Sequence, residues 1–181
     1  MIIGIDPSIN STGVCIWDDA VADNRYYIIP SKMTRKMQQF DNQWITLLPY
    51  IKQDTTKDTY TIKEHKKFCN LYEVCNRIGD ILDKYKPDMV KMEGVSYGSV
   101  GSAALVDLSM LSGMIRLEIG RRGIPFEIVS PTELKKFACA NGQADKDVMI
   151  DAWKRLDPHI KDITEIKVDD LADAYFLAHY Q

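Results

Sequence analysis

The sequence predicts a mixed α/β fold in which three antiparallel strands come first and parallel strands follow them, flanked by helices. Apolar runs separated by turn residues fill residues 2–30, which is typical of neighbouring antiparallel strands. Two stretches with helical apolar spacing then alternate with short strand patterns, at residues 63–93 and 103–129. This order is not a Rossmann alternation, and the sequence contains no G-x-G-x-x-G.

The first predicted strand ends on a carboxylate. Residues 2–5 form an apolar run typical of a buried strand, and Asp6 follows directly. Turn residues 7–13 separate this strand from a second apolar run at residues 14–17, and residues 25–30 form a third. A carboxylate at such a place is costly to bury unless it meets a cation or accepts hydrogen bonds from the turn. From this stretch alone, metal binding and turn capping both stay open for Asp6.

Residues 31–62 show no clear helical or strand period. They mix basic residues with amides and aromatics before a threonine-rich stretch. We expect a single domain over residues 1–181, with this segment inserted at the edge of the sheet. Basic residues interleaved with aromatics suit nucleic-acid contact by phosphate pairing and base stacking. The alternative is a solvated loop that anchors a few side chains in the core.

Two long helices and a strand are predicted for the middle of the chain. Residues 63–86 carry apolar side chains at three- and four-residue steps, and Pro87 ends that helix. The strand at residues 88–93 again ends on an acid, Glu93. The helix at residues 103–122 is apolar on more than one face. It must therefore bury a second stripe, either under the insertion or in the seam of a homodimer.

Basic residues accompany the next elements. A strand is predicted at residues 126–129, and Ser130 and Glu133 are spaced for a capping box at the start of a short helix. Four basic residues are candidates for contacts to a DNA backbone: Lys135 and Lys136 of this short helix, and Arg121 and Arg122 of the helix before it.

The last predicted helix, residues 168–180, carries several acids. Asp170 and Asp173 are three residues apart and share one face, and Asp169, four residues before Asp173, could share that face too. Like charges this close repel each other unless they are solvated or bind a cation. The sequence therefore leaves open whether Asp169 or Asp170 acts beside Asp173.

Four carboxylates from three distant segments can converge if the strand-ending Asp6 and Glu93 meet this helix. Oxygen ligands without cysteine or histidine suit Mg²⁺ or Mn²⁺. Two such ions a few Å apart can activate water and stabilise the leaving oxygen in phosphodiester cleavage. The pattern predicts a metal-dependent nuclease site.

Composition limits the class of protein. The 181 residues carry a formal net charge of -3, which gives no overall indication of a nucleic-acid partner, although a nuclease concentrates acids in its site. The four cysteines are scattered, which argues against a zinc site and fits core residues in a reducing compartment. The sequence shows neither a membrane-span-length apolar run nor a leader pattern. We expect a cytoplasmic protein without membrane contact.

Several motifs in one order carry a resemblance to a known family. They are GIDPSINSTG at residues 4–13, Glu93, GQADK at residues 142–146 and DLADA at residues 170–174. In these the sequence resembles the RuvC-type Holliday-junction resolvases of the RNase H-like superfamily, while residues 31–62 have no match. The resemblance implies an RNase H-like mixed sheet. It also implies the site residues: metal-binding acids at Asp6, Glu93, Asp170 and Asp173, and an assisting lysine at Lys146.

The resemblance implies an activity as well. It is that of a Mg²⁺-dependent endodeoxyribonuclease with two ions per site, which resolves Holliday junctions by paired nicks in DNA recombination and repair. The family's dimer helix corresponds to residues 103–122, so a homodimer is expected. A broader structure-selective nuclease and a non-cleaving branched-DNA-binding protein are the alternatives. An actin-like kinase shares the opening motif but needs a second glycine-rich phosphate loop that this sequence lacks.

Two single positions depart from the family's pattern. Ser8 stands where the family has glycine after Asp-Pro, and Ser96 stands where an aromatic residue wedges into the junction. The neighbouring Tyr97 could supply that aromatic contact to DNA. Such departures are typical of viral members, so a phage protein acting in the cytoplasm of its host cell is expected on this interpretation.

Overall fold

The structure is a computed structural model that describes residues 1–35, 37–42, 44–95, 102–160 and 169–181. The strands within these residues are β1 (Ile2–Asp6), β2 (Ser11–Asp18), β3 (Asp23–Pro30), β4 (Ile45–Leu47), β5 (Met89–Glu93) and β6 (Phe126–Val129). The α-helices are α1 (Tyr60–Tyr85), α2 (Ser102–Arg121), α3 (Pro131–Cys139), α4 (Lys146–Leu156) and α5 (Asp169–His179). Short 3-10 turns cover Met37–Phe40 and Pro158–Ile160.

These strands form one mixed sheet in the order β4-β3-β2-β1-β5-β6. The strand β2 is antiparallel to both of its neighbours, β1 and β3, whereas β5 runs parallel to β1 and β6 parallel to β5. This confirms the predicted sheet. The edge strand β4, parallel to β3, was not predicted, because three residues are too few to show a strand period.

Side chains alternate between the two faces of the sheet. Ile3 and Ile5 of β1 belong to the core under α1 and α2, together with Val90 and Met92 of β5. The residues between them therefore point to the opposite face, where α3, α4 and α5 pack. Because strand-ending Asp6 continues this alternation, its carboxylate lies on the face that α5 covers.

Two glycines of the sheet bring α5 unusually close. A β-carbon on Gly4 would stand 2.1 Å from the carbonyl oxygen of Ala174, and one on Gly13 would stand 2.1 Å from that of Asp170. Both are inside van der Waals contact, so the helix backbone rests on the strands where no side chain intervenes. The positions of these glycines set the depth and register of α5 over β1 and β2.

A buried polar network holds the other end of α5. His179 Nε2 lies 3.0 Å from Asn24 Oδ1, and Asn24 Nδ2 donates to Asp157 Oδ2 at 3.2 Å. The Tyr26 hydroxyl also donates to Asp157 and accepts from Trp153 Nε1 at 3.0 Å. Asp157 is only 1% exposed, so these bonds replace the water that its carboxylate loses. The network joins α5, α4 and β3 into one rigid layer.

The helix ends agree with most sequence signals. The capping box at α3 is present, with Ser130 and Glu133 exchanging hydrogen bonds. By contrast, α1 begins at Tyr60, earlier than predicted, because Tyr60 and Ile62 of its first turn are exposed and do not continue the buried apolar stripe of the helix. All four cysteines are free. Core residues are expected from the sequence, but Cys69 and Cys139 are only half-buried. None of the described helices combines the length and apolar content that crossing a membrane requires.

The close approach of α5 makes a first prediction. Gly4→Ala should lower the free energy of unfolding by about 3 kcal/mol, because backbone atoms of α5 must move away from the new methyl group. The matched control is Gly120→Ala in α2, whose β-carbon meets nothing within 4 Å and should be neutral or stabilising by about 0.5 to 1 kcal/mol. Urea denaturation checks both. Equal stability of the two variants would contradict the proposed packing constraint.

Candidate active site

Two acids stand side by side at the carboxyl ends of parallel strands. In the β1–β5 ladder Ile5 pairs with Met92, so Asp6 and Glu93, the next residues, are neighbours at the same edge. Asp6 is 7% exposed and Glu93 is half-buried. Both carboxylates lie on the α5 face of the sheet, as the alternation along the strands requires.

Helix α5 adds its acids to this pair. Carboxylate oxygens of Asp6, Glu93 and Asp173 all lie within 4.8 Å of one another. Asp170, one turn before Asp173, lines the same cleft. The convergence of acids expected from the sequence is therefore present in the fold.

Asp169 and Asp170 have different surroundings although they are adjacent. Asp170 lies among the other acids, and its backbone rests against Gly13 of β2. Asp169 instead forms an ion pair with Lys146, the first residue of α4. The geometry therefore favours Asp170 as the fourth acid of the cluster, whereas Asp169 pairs with Lys146.

The acids line an open cleft of about 400 Å³. Its walls come from the loop after β5 and from the starts of α3 and α4, with Leu108 and Met149 among the apolar lining residues. Two cationic side chains, Lys135 and Lys146, reach the same cleft. The cleft thus combines an acidic floor with lysines at its side, an arrangement suited to a phosphate group bridged to the acids by cations.

Burial and mutual repulsion raise the pKa values of the acids. The pKa of Asp6 lies well above its ordinary value, first because of burial and then because of Glu93, Asp170 and Asp173 nearby. Burial likewise raises the pKa of Asp170 and of Asp173 to about 7, with the neighbouring acids adding to the shift at Asp173. Burial also raises the pKa of Glu93, although Asp6, Lys135 and Lys146 oppose the shift.

The acidic cluster fits a divalent cation. Four carboxylates in a partly desolvated space cannot all ionise cheaply unless positive charge enters with them. The donors are all hard oxygens, and the lining residues that the structure describes include neither cysteine nor histidine. The residues present therefore match the metal-ion requirement that the sequence pattern indicates.

Other residues predicted for the site lie elsewhere. Lys136 is exposed on α3 and does not line the cleft. Arg121 is the last residue of α2, and Arg122 follows it. Arg122 forms ion pairs with Asp83 and Glu118. Because α2 starts at the acidic edge and runs back along the sheet, these two arginines lie away from the cleft, and contacts of Arg121, Arg122 and Lys136 to a DNA backbone stay a prediction. Tyr97 and Ser96 lie outside the described residues, and a wedge role for Tyr97 stays a prediction.

Sequence reasoning missed some contributors. Ser11 lies on the α5 face of β2, two residues before the Gly13 that contacts Asp170, and the Lys146–Asp169 ion pair orients the lysine at the cleft. Gly4 and Gly13 could have indicated the close packing of a helix, since they lie on the same face of the sheet as Asp6 and have no side chain there. No comparable signal marked Ser11, because the helix that it faces is far away along the chain.

Comparison with known proteins agrees with this geometry. The family profile described as "Crossover junction endodeoxyribonuclease RuvC" matches residues 47–179, which is most of the chain. The chain belongs to the RuvC family. The matched residues include Glu93 and the motifs at residues 142–146 and 170–174, whereas the motif at residues 4–13 lies outside them. They also include residues 47–62, so the expectation that the whole of residues 31–62 has no match was wrong for that part.

Curated RuvC relatives match over part of their length. The RuvC protein of Corynebacterium diphtheriae is 30% identical over 109 residues, covering 60% of this chain and 64% of the relative. That of Bifidobacterium longum subsp. infantis is 27% identical over 132 residues, covering 72% and 64%. The chain thus spans a little under two thirds of the length of these relatives.

Solved RuvC-type structures share the fold at low identity. Thermus thermophilus RuvC in complex with Holliday junction substrate is 15% identical, with a TM-score of 0.62 over 98% of this chain and 88% of that one. The yeast mitochondrial Holliday junction resolvase Ydc2 is 16% identical, with a TM-score of 0.54 over 98% and 75%. These likenesses confirm the RNase H-like fold of this RuvC-family chain.

The raised carboxyl pKa values predict how stability depends on pH when metal is removed. The folded protein holds protons that the unfolded chain releases between pH of about 4 and 7, so these groups cost stability as pH rises through that window. His179, whose pKa burial lowers to about 4, acts in the opposite direction. In EDTA the double variant Asp6→Asn/Asp173→Asn should therefore melt above the wild type by roughly 5 °C or more at pH 8, and by less at pH 5.

Mg²⁺ provides the second half of this test. Added Mg²⁺ should raise the melting temperature of the wild type at pH 8 and leave that of the double variant nearly unchanged. Thermal melts of both proteins with and without the ion measure this. A double variant that is less stable than the wild type at pH 8 in EDTA would show that the acids do not repel one another as inferred.

Proposed function

We propose that this protein is a metal-dependent endonuclease that cuts branched DNA and resolves Holliday junctions. The observation that carries the proposal is the gathering of Asp6, Glu93, Asp170 and Asp173 beside Lys146 in a RuvC-family chain. The named activity of the curated relatives, crossover junction endodeoxyribonuclease, supports the reaction class. The junction bound to Thermus thermophilus RuvC supports the substrate class.

The four acids would hold Mg²⁺, with two ions per site, and Mn²⁺ could substitute for it. Bound there, the metal would supply Lewis acidity and an activated water for attack on phosphorus. Asp6 and Glu93 are fixed by the sheet, whereas Asp170 and Asp173 are fixed by the seating of α5. Rigid placement of all four keeps the acids from separating when they lose their protons, so the ligand set is preorganised.

Lys146 has the position of a charge-stabilising residue. Its side chain is 73% exposed at the cleft and is oriented by the carboxylate of Asp169. The Asp169 hydrogen bond raises the pKa of Lys146, so the ammonium stays charged at neutral pH. A charged ammonium there can donate to a non-bridging phosphate oxygen and stabilise charge that develops during cleavage. Lys135 lies in the same cleft and can contact the scissile or an adjacent phosphate.

A homodimer would place two active sites on a junction with two-fold symmetry, one for each nick. One face of α2 exposes Val106, Met110 and Leu117, which are 58%, 41% and 53% exposed, and Gly113 lies between them. An apolar stripe of this kind on a helix is typical of an interface. Two copies paired through α2 would each present one acidic cleft. Such an enzyme would act on DNA in the cytoplasm, a compartment that its free cysteines also fit.

Loss of a single acid should abolish cleavage. Asp6→Asn or Asp173→Asn should reduce the rate of cutting of a labelled four-way junction in Mg²⁺ by at least about 100-fold, because each removes charge from the ligand set. The matched control is Asp151→Asn, which removes an exposed acid of α4 outside the cleft and should cut normally. Undiminished cutting by Asp6→Asn would refute the site.

Substrate choice separates the alternatives in the same assay. A junction resolvase should cut the four-way junction in preference to a flap or a linear duplex. Equal cutting of flap and junction would indicate a broader structure-selective nuclease. Junction retardation in a gel without any Mg²⁺-dependent cutting would indicate a non-cleaving DNA-binding protein.

The exposed α2 stripe predicts the assembly state. Met110→Glu/Leu117→Glu should convert a dimer into monomers, because it places charge on both sides of an apolar seam. Val21→Glu, which changes a 68% exposed residue in the β2–β3 turn, is the control and should leave the assembly unchanged. Sedimentation velocity at micromolar concentration measures the outcome. A monomeric wild type would rule out the dimer at that concentration.

A further inference from the structure

We propose that a second groove, next to the acidic cleft, holds the sugar-phosphate backbone of a DNA strand as it leaves the cleft. This groove, called here the lysine groove, is lined by Asn10, Ser11, Ser31, Lys32 and residues 52–56, and has a volume of about 960 Å³. The proposal rests on the proposed nuclease function and adds a binding surface to it. Residues 52–56 of this surface lie within the match to the RuvC family profile, whereas Ser31 and Lys32 precede it.

The lysine groove adjoins the catalytic acids. Ser11 lines the groove and lies in β2 two residues before Gly13, on the same face of the sheet, where Gly13 contacts the backbone of Asp170. In the sheet, the groove lies at the β2–β3 side of the acids, whereas Lys135 stands on α3, which follows β6 at the other side. A strand whose phosphate reaches the acids can therefore continue past Ser11 into the groove.

The wall of the groove is fixed from behind. The buried side chain of Asn70 on α1 accepts from the backbone nitrogen of Gln53 at 2.8 Å and donates to the Gln53 carbonyl oxygen at 3.4 Å. Arg77 donates twice to the carbonyl oxygen of Pro49, at 2.8 and 3.2 Å. The Tyr50 hydroxyl donates to the Ile9 carbonyl oxygen at 3.0 Å, which ties this segment to the β1–β2 turn. The extended wall is thus preorganised, which lowers the entropic cost of binding.

The chemistry of the lining suits phosphodiester groups. Lys52 Nζ crosses to Asn10 Oδ1 at 3.0 Å, and the exposed Lys32 adds a second ammonium. Of the described residues that line the groove, one is acidic: Asp54, whose carboxylate accepts hydrogen bonds from the Thr56 nitrogen and hydroxyl at 3.0 and 3.1 Å. The Asp54 carboxylate therefore already has hydrogen-bond donors within its own turn.

The lining also indicates which part of DNA is bound. The remaining polar groups are hydroxyls and amides of serine, threonine, asparagine and glutamine, which are common partners of phosphate and sugar. Aromatic rings are absent from the described residues that line the groove, so base stacking there is not expected. The occupant inferred is the backbone of a DNA strand, bound without regard to its base sequence.

Binding without cleavage tests the groove. The affinity for a four-way junction, measured by fluorescence anisotropy in EDTA, should fall about tenfold in Lys32→Ala/Lys52→Ala at moderate salt. The slope of log affinity against log salt should decrease in magnitude by about 2, one for each ammonium that no longer pairs with a phosphate. The control Arg25→Ala/Arg155→Ala removes two exposed cations outside both the groove and the cleft, and should bind as the wild type does.

A second measurement separates direct contact from loosening of the wall. Replacing single phosphates of the junction by neutral methylphosphonates should weaken binding of the wild type at one or two positions near the cut site. At those positions the double lysine variant should show no further decrease in affinity. Lys32→Ala alone breaks none of the hydrogen bonds that fix the wall, and it should show the same insensitivity at one position.

The outcomes distinguish this proposal from the one on which it rests. If the wild type cuts junctions but the double lysine variant matches the arginine control in affinity and salt slope, the lysine groove is refuted and the nuclease function stands. If the wild type neither binds nor cuts the junction, both proposals fall. Equal methylphosphonate effects in wild type and variant would also refute the groove, whatever the affinity of the variant.

Discussion

The site depends on the direct contact between the backbone of α5 and two glycines of the sheet. Gly4 and Gly13 leave the helix no intervening side chain, with the α5 carbonyl oxygens closer than any β-carbon would allow. This contact brings Asp170 and Asp173 level with Asp6 and Glu93 at the strand ends. A larger residue at either glycine would lift the helix and separate the two pairs of acids, even though none of the acids had changed. The close packing is therefore a precondition for the site.

This packing works against electrostatic repulsion. Burial raises the pKa values of the four acids, and neighbouring acids add to the shifts of Asp6, Asp170 and Asp173, so the metal-free site is a source of instability that the rest of the fold must offset. The two apolar cores supply this stability, and the Asn24–His179 contact holds the far end of α5. The fold thus keeps the acids together in the absence of a counter-ion, and a cation that enters relieves the repulsion without having to organise its ligands.

Much of this arrangement could be predicted from the sequence because its signals are local. Asp6 and Glu93 each end a predicted strand, and Asp170 and Asp173 share a helix face. The sequence therefore indicated that the four acids could converge. The strand β4 could not be predicted, because it exists only through its pairing with β3. The pairing of Lys146 with Asp169, and the placement of Arg122 against Asp83, depend on how distant helices cross. Contacts of that kind have no local pattern.

The distribution of charge bears on the proposed action on DNA, because the formal net charge of the protein is negative. The formal net charge of -3 includes the acids gathered in the cleft. Their raised pKa values mean that bound protons partly neutralise them in the absence of metal cations. On either side of these acids stand lysines: Lys135 and Lys146 at the cleft, and Lys32 and Lys52 at the groove. A phosphate backbone that crosses the site would therefore meet positive charge along its path. Because electrostatic attraction between exposed charges is screened within about 10 Å at ordinary salt, this local pattern, and not the overall charge, determines where DNA can bind.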